Sequence, residues 1–149
     1  MKRHEALEQL SRDHHQALFQ AMRLKRADAD SAGDVLGDFL DFWFSVGNLH
    51  FRAEEEVLLP AYSAYADASA EAVVRVLVDH VEIRREAHEL GGLKTDPEPE
   101  RLHALGVKLD AHVRHEERVL FPLIEEALPD DELARVARGV DEVESAGSD

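Results

Sequence analysis

The sequence predicts an all-α protein, an antiparallel up-down-up-down four-helix bundle with a short extra C-terminal helix. Three observations carry this expectation. Apolar residues recur at alternating steps of three and four along four long segments, short polar or glycine-bearing breaks separate the segments, and no stretch alternates like a strand. Four long helices with short connections pack most simply as antiparallel neighbours. At 149 residues the chain suits one domain, with residues 1–143 as the bundle and 144–149 as a disordered tail.

The first helix, about 4–27, places Leu7, Leu10, His14, Ala17, Ala21 and Leu24 on one stripe. Residues 27–33 read as a loop. A second helix, about 34–64, carries Phe39, Trp43, Val46, His50, Glu54, Val57 and Leu58 inward. Asp67 to Ser69 breaks it, and Ser69 with Glu71 signals the start of a third helix, about 69–90. The stripe there is Val73, Val76, Leu77, His80, Ile83, Ala87 and Leu90, stopped by Gly91 and Gly92. Asp96 and Pro97 open the fourth helix as capping aspartate and first-turn proline. Its inner row is Leu102, Leu105, Leu109, His112, Glu116, Leu120, Leu123 and Ala127. After Pro129 a short amphipathic piece with Leu133, Val136, Ala137 and Val140 is expected to pack on the outside. Pro60 and Pro122 should bend or end their helices.

Composition narrows the function classes. There is no cysteine, which removes disulfides, thiolate metal sites and cysteine nucleophiles. A formal charge of −15 repels phosphate backbones and anionic lipid, so no nucleic acid and no membrane is expected as a partner. No apolar run has the length of a membrane span, and the N-terminus lacks the apolar core of a signal peptide, so a cytoplasmic location is expected. Nine histidines against two tyrosines and one tryptophan are the anomaly.

Each helix sets one histidine in its apolar row: His14, His50, His80 and His112. The second and fourth helices add Glu54 and Glu116 four residues later, on the same face. Two buried carboxylates without partners would cost several kcal/mol each, on the order of the usual desolvation penalty, and a cation between them removes that cost. The levels agree. In an antiparallel hairpin, residues equally far from the loop are level; the midpoints of His14 with His50, His50 with His80, and His80 with His112 fall at 32, 65 and 96, each in or beside a predicted break. The segment 50–60 is echoed by 112–122, and Asp13-His14 by Asp79-His80, so two similar halves would build one symmetric site. His15 competes with His14, but His14 continues the helical row. Imidazole and carboxylate suit iron, manganese or zinc. One zinc takes only about four ligands. Two metals bridged by both glutamates use all six and keep unfilled positions.

The pattern His…His-x-x-x-Glu…His…His-x-x-x-Glu, with Glu-Glu-x-x-Leu-(Leu/Phe)-Pro closing each pair, resembles the hemerythrin-like (HHE cation-binding) family over about residues 4–128. That resemblance implies a non-haem centre of two iron ions with an oxo or hydroxo bridge, ahead of manganese or zinc. It implies that His14 and His50 serve one iron, His80 and His112 the other, and that Glu54 and Glu116 bridge them. Oxygen-carrying relatives have a histidine where this chain has Arg84, and an aspartate five residues after the fourth-helix histidine where this chain has Glu116 after four. The chain is thus similar to four-histidine bacterial members, which are associated with peroxide, nitric oxide, oxygen sensing or iron handling.

The expected function is a di-iron protein that binds and reacts with small oxygen species, peroxide or O2 and also NO, supplied with electrons by a separate protein reductant. The alternatives are a non-catalytic oxygen or iron sensor or carrier, and a plain helical interaction module whose polar layer sets register. Arg84 either reaches a surface carboxylate or lies at the rim of the metal cavity. Glu55 and Glu117, turned about 100° from the ligands, are expected to be solvated or paired with arginine. His4, His88 and His103 read as surface residues; Phe39, Phe42, Trp43 and Phe121 read as core. His115 beside Glu116 is no zinc-protease motif, because position 119 is Val119.

Overall fold

A computed structural model describes residues 2–146, and the described residues are helical with no strand among them. A short 3-10 turn, Glu5–Leu7, leads into α1 (Glu8–Lys25). The long helix α2 covers 32–63, α3 is Glu71–Gly91, α4 covers 99–127 and α5 is Asp130–Ala146. α1 lies along α4 and against α2, and α3 packs on α4 and α2. The stripes face inward as their periodicity requires, with Leu77 and Leu123 exposed as the exceptions.

Several boundaries differ from the sequence expectation. Ser69 bonds back to Asp67 through N–H (2.9 Å) and hydroxyl (2.7 Å), so Ala70 is the N-cap of α3. The fourth helix begins at Pro99 behind Glu98, not at Asp96 and Pro97, and Pro99 fills the first-turn position where no N–H is needed. Asp96 instead packs on Gly33, where an added Cβ would stand 2.8 Å from its carboxylate. The C-terminal helix is 17 residues long and includes Glu144, Ser145 and Ala146, which were expected in a disordered tail; residues 147–149 lie outside the described residues. It lays Leu133, Val136 and Val140 against α2 and the N-terminal turn.

Neither proline ends its helix. α2 passes Pro60 to Ser63 and α4 passes Pro122 to Ala127. Each is preceded by a widened π turn, Glu54–Leu58 and Glu116–Leu120, in which the N–H of Leu59 or Phe121 donates to the carbonyl five residues back. The α-helix resumes with proline in its first turn, where the ring is tolerated. A third π turn, Trp43–Gly47, interrupts α2 earlier.

The apolar interior falls into two clusters. One gathers Leu24, Phe39, Trp43, Phe51, Ile83, Leu105 and Leu109; the other gathers Leu7, Leu10, Leu58, Val76, Phe121, Ile124 and Val136. α1 and α4 approach closely at Gly106 of α4, where a Cβ would meet the Ala21 carbonyl oxygen at 2.8 Å and Leu24 at 3.0 Å. We expect Gly106→Val to lower the stability by about 1–3 kcal/mol through overpacking. The check is a fall in denaturant midpoint at unchanged slope; an unchanged midpoint would mean that α1 and α4 do not pack this tightly.

Candidate metal centre

Among the buried residues that are polar or charged, six have their inner atoms facing one another. His14 on α1, His50 and Glu54 on α2, His80 on α3, and His112 and Glu116 on α4 are each at most 4% exposed. His14, His50, Glu54 and Glu116 form one group and Glu54, His80, His112 and Glu116 another, the donor atoms within each lying inside 4.8 Å. Both glutamates belong to both groups. Nε2 stands 2.9 Å from Glu116 in His14, 3.4 Å from Glu54 in His50, 3.1 Å from Glu54 in His80 and 3.2 Å from Glu116 in His112. Two donors held about 2.1 Å from one ion, at angles between octahedral and tetrahedral, stand about 3.0–3.4 Å apart. The spacing suits ligands to a shared cation, and equally hydrogen bonds from protonated imidazoles to the glutamates. Nε2 of His50, His80 and His112, both oxygens of Glu54 and Oε2 of Glu116 are buried without a hydrogen-bond partner. Each such atom costs roughly 1–3 kcal/mol if left unpaired, so the donor set fits metal.

The outer nitrogen of every one of these imidazoles meets a carboxylate. Nδ1 of His50 bonds Asp13 at 2.8 Å and Nδ1 of His112 bonds Asp79 at 3.0 Å. Nδ1 of His14 bonds Glu117 at 2.6 Å and Nδ1 of His80 bonds Glu55 at 2.7 Å. A donor N–H at Nδ1 leaves the Nε2 lone pair aimed inward, and the carboxylate raises its basicity. Phe51 stacks on His80 at 3.7 Å and Phe121 on His14 at 5.3 Å, which holds the ring planes. The solvated role expected for Glu55 and Glu117 is therefore corrected. A π turn advances each residue by less than the ~100° of an α turn, which brings the residue after each buried glutamate back toward the interior. Their arginine pairing is present as well: Arg84 reaches Glu55 at 3.1 Å and Arg3 reaches Glu117 at 3.4 Å. The echoed Asp-His and Glu-Glu dipeptides were the sequence signal for all four outer carboxylates.

Arg84 lies outside the inner layer. It bonds Asn48 at 2.7 Å and Glu55, with its guanidinium 5.8 Å from the Trp43 ring and 5.7 Å from the Phe51 ring. His14 is buried and His15 exposed, as helical phase required. His88 is exposed, whereas two other histidines bond backbone carbonyls: His103 is partly buried on Ala27 at 2.7 Å and His115 is buried on Ala72 at 3.0 Å. Glu144 of α5 stands beside Asp13 and His50, and burial together with Asp13 pushes its carboxyl up to about 8. Periodicity alone gave no sign of that contact.

With no cation bound, protons must neutralise the layer. Burial opposes charging each imidazole, yet the carboxylates around it prevail: Glu116 and Asp79 hold His112 at about 10, and His14, His50 and His80 are also raised. Burial likewise opposes ionising Glu116, but His112 and His14 keep it well below the usual carboxylate range. Beside His14, His50 and His112, a cavity of about 20 Å³ is walled by Phe39, Trp43, Phe51, Ile83, Leu109 and Val113. It has room for about one water-sized molecule. Trp43 is thus core and cavity wall at once.

The hemerythrin HHE cation-binding domain model matches residues 6–124. The chain belongs to this family. No curated protein and no solved structure matches it. Cation binding is the property this HHE domain shares with its family, and the two donor groups are what the chain offers a cation. Among the described residues no helix is long and apolar enough to cross a membrane.

Two predictions follow from the geometry. Asp13→Asn and Asp79→Asn keep the shape but weaken the hold on Nδ1, and each should reduce metal affinity about 10–100-fold, read by competition with a chelator; unchanged affinity would show that the aspartates do not serve the centre. In the metal-free protein His112 is raised from 6.5 to about 10. Its contribution to stability is complete below pH 6.5 and is lost as pH climbs toward 10. Metal must displace those protons, so metal affinity should move the other way and fall with falling pH. Thermal melts of both forms across that range test the opposed slopes.

Proposed function

We propose that the chain is a non-haem di-iron protein, built as an up-down-up-down bundle, that binds and reacts with small oxygen species. In this reading His14 and His50 hold one iron, His80 and His112 the other, and Glu54 and Glu116 lie between them with an oxo or hydroxo bridge. The observation that carries it is that two four-donor groups share the same two glutamates, with spacings that suit ligands to common ions. The common level of the four histidines supports antiparallel neighbours. Four nitrogens and two carboxylates suit iron among metals that accept such donors.

Bound iron supplies Lewis acidity and a change of redox state. The chain's own groups do the rest. Asp13, Asp79, Glu55 and Glu117 fix the imidazoles before any ligand arrives, and Glu54 and Glu116 neutralise positive charge in a water-poor interior. The small apolar cavity beside three of the histidines has room for about one water-sized molecule. O2, NO and hydrogen peroxide are all small and uncharged near neutral pH, and the first two, being the least polar, cross apolar walls most easily. A separate protein would act as reductant, and the location would be the cytoplasm.

Freshly purified protein should carry about two irons per chain, and His112→Ala should fail to retain both, losing a ligand and an imidazole. Anaerobic reduction followed by air, watched by absorption, separates the readings: turnover with reductant marks an enzyme, and a stable oxygenated spectrum marks a carrier or sensor. Peroxide decay as fast in iron-free protein as in loaded protein would sink the peroxide reading.

A further inference from the structure

Among the described residues, nothing packs on the apolar outward face of α3. Val73, Val76, His80 and Ile83 face the interior, yet Val74, Leu77, Val78 and Val81 stand 44, 40, 50 and 67% exposed. Their spacing makes one continuous seam along the helix. α5 covers α2 and the N-terminal turn, so it leaves this seam open. Residues 72–78 carry a single charge, the cation Arg75, in a chain of net charge −15. Self-repulsion between two copies is therefore low along this stretch.

We propose that this seam is the contact surface for a second copy of the chain, with the two α3 helices antiparallel about a two-fold axis at Val78. The charges at its ends select the partner and its direction. Glu71 and Arg85 each lie seven residues from Val78, on opposite sides and on the same face. Antiparallel pairing sets Glu71 level with Arg85 of the second copy, and the reverse. Parallel pairing would set Glu71 against Glu71 and Arg85 against Arg85. The ion pairs that α3 makes with other helices use Arg84, Glu82, Glu86 and Glu89 or pass through its histidine and aspartate. Among the described residues, Glu71 and Arg85 are left without one and free to pair across the axis. A face that complements itself in this manner gives a closed dimer, not a chain of copies. It also leaves the six inward side chains untouched, so it stands whether or not the di-iron reading does.

Sedimentation or light scattering of metal-loaded protein over a broad concentration series tests it. Twice the 16.7 kDa chain mass is expected. Val78→Glu with Val81→Glu should return the mass of one chain with the helical signal and metal content unchanged. Glu71→Arg alone, which sets two cations together, should weaken the dimer at least tenfold. Adding Arg85→Glu to it should restore the dimer, and this charge exchange keeps the test intact if the double glutamate variant folds badly. Single-chain mass at every concentration, or a dimer indifferent to both the seam and the charge exchange, would overturn the proposal. Loss of metal without loss of the dimer counts against the functional reading alone.

Discussion

The structure depends on accommodating the carboxyl groups of Glu54 and Glu116 at 0% exposure in the middle of an apolar bundle. Two carboxylates there are tolerable only if positive charge sits among them. The fold provides for this twice over. Four imidazoles converge on the glutamates, and the surrounding carboxylates raise their affinity for protons, that of His112 to about 10. A cation held at the same atoms would supply positive charge in the protons' place.

Around that layer the chain builds two similar halves. His50 and His112 lean on aspartates from α1 and α3, while His14 and His80 lean on glutamates from α4 and α2, and an arginine tempers each of those glutamates. Every bond of this outer ring joins different helices, so the ring ties the bundle together as it orients the imidazoles. α5 breaks the symmetry. Glu144 adds a second acid beside Asp13, whereas Asp79 has the cations Lys108 and Arg75 near it. The two halves therefore present unequal electrostatic fields.

The π turns connect the backbone to the chemistry. Two of the three begin at the buried glutamates and precede Pro60 and Pro122, so the widening that lets a proline pass also swings Glu55 and Glu117 toward His80 and His14. The third carries Trp43, a wall of the small cavity, and Gly47, where a Cβ would collide with the Trp43 ring at 2.8 Å. Local departures from α geometry thus lie where the site needs a side chain that regular phase would misdirect.

Helical character, the inner rows and the six converging residues were legible in the sequence, because burial on a helix leaves a period of 3.6 and an ionisable residue inside that period stands out. The choice of His14 over His15 was fixed the same way. Sequence alone did not determine what Glu55, Glu117, Arg84 and Glu144 touch. Glu55 and Glu117 depend on π turns, which leave no periodic trace; Glu144 depends on how α5 docks, which is set by packing between distant segments. Phase along one helix is a local property that composition encodes, whereas the partner of an outward carboxylate exists only once separate helices have been brought together.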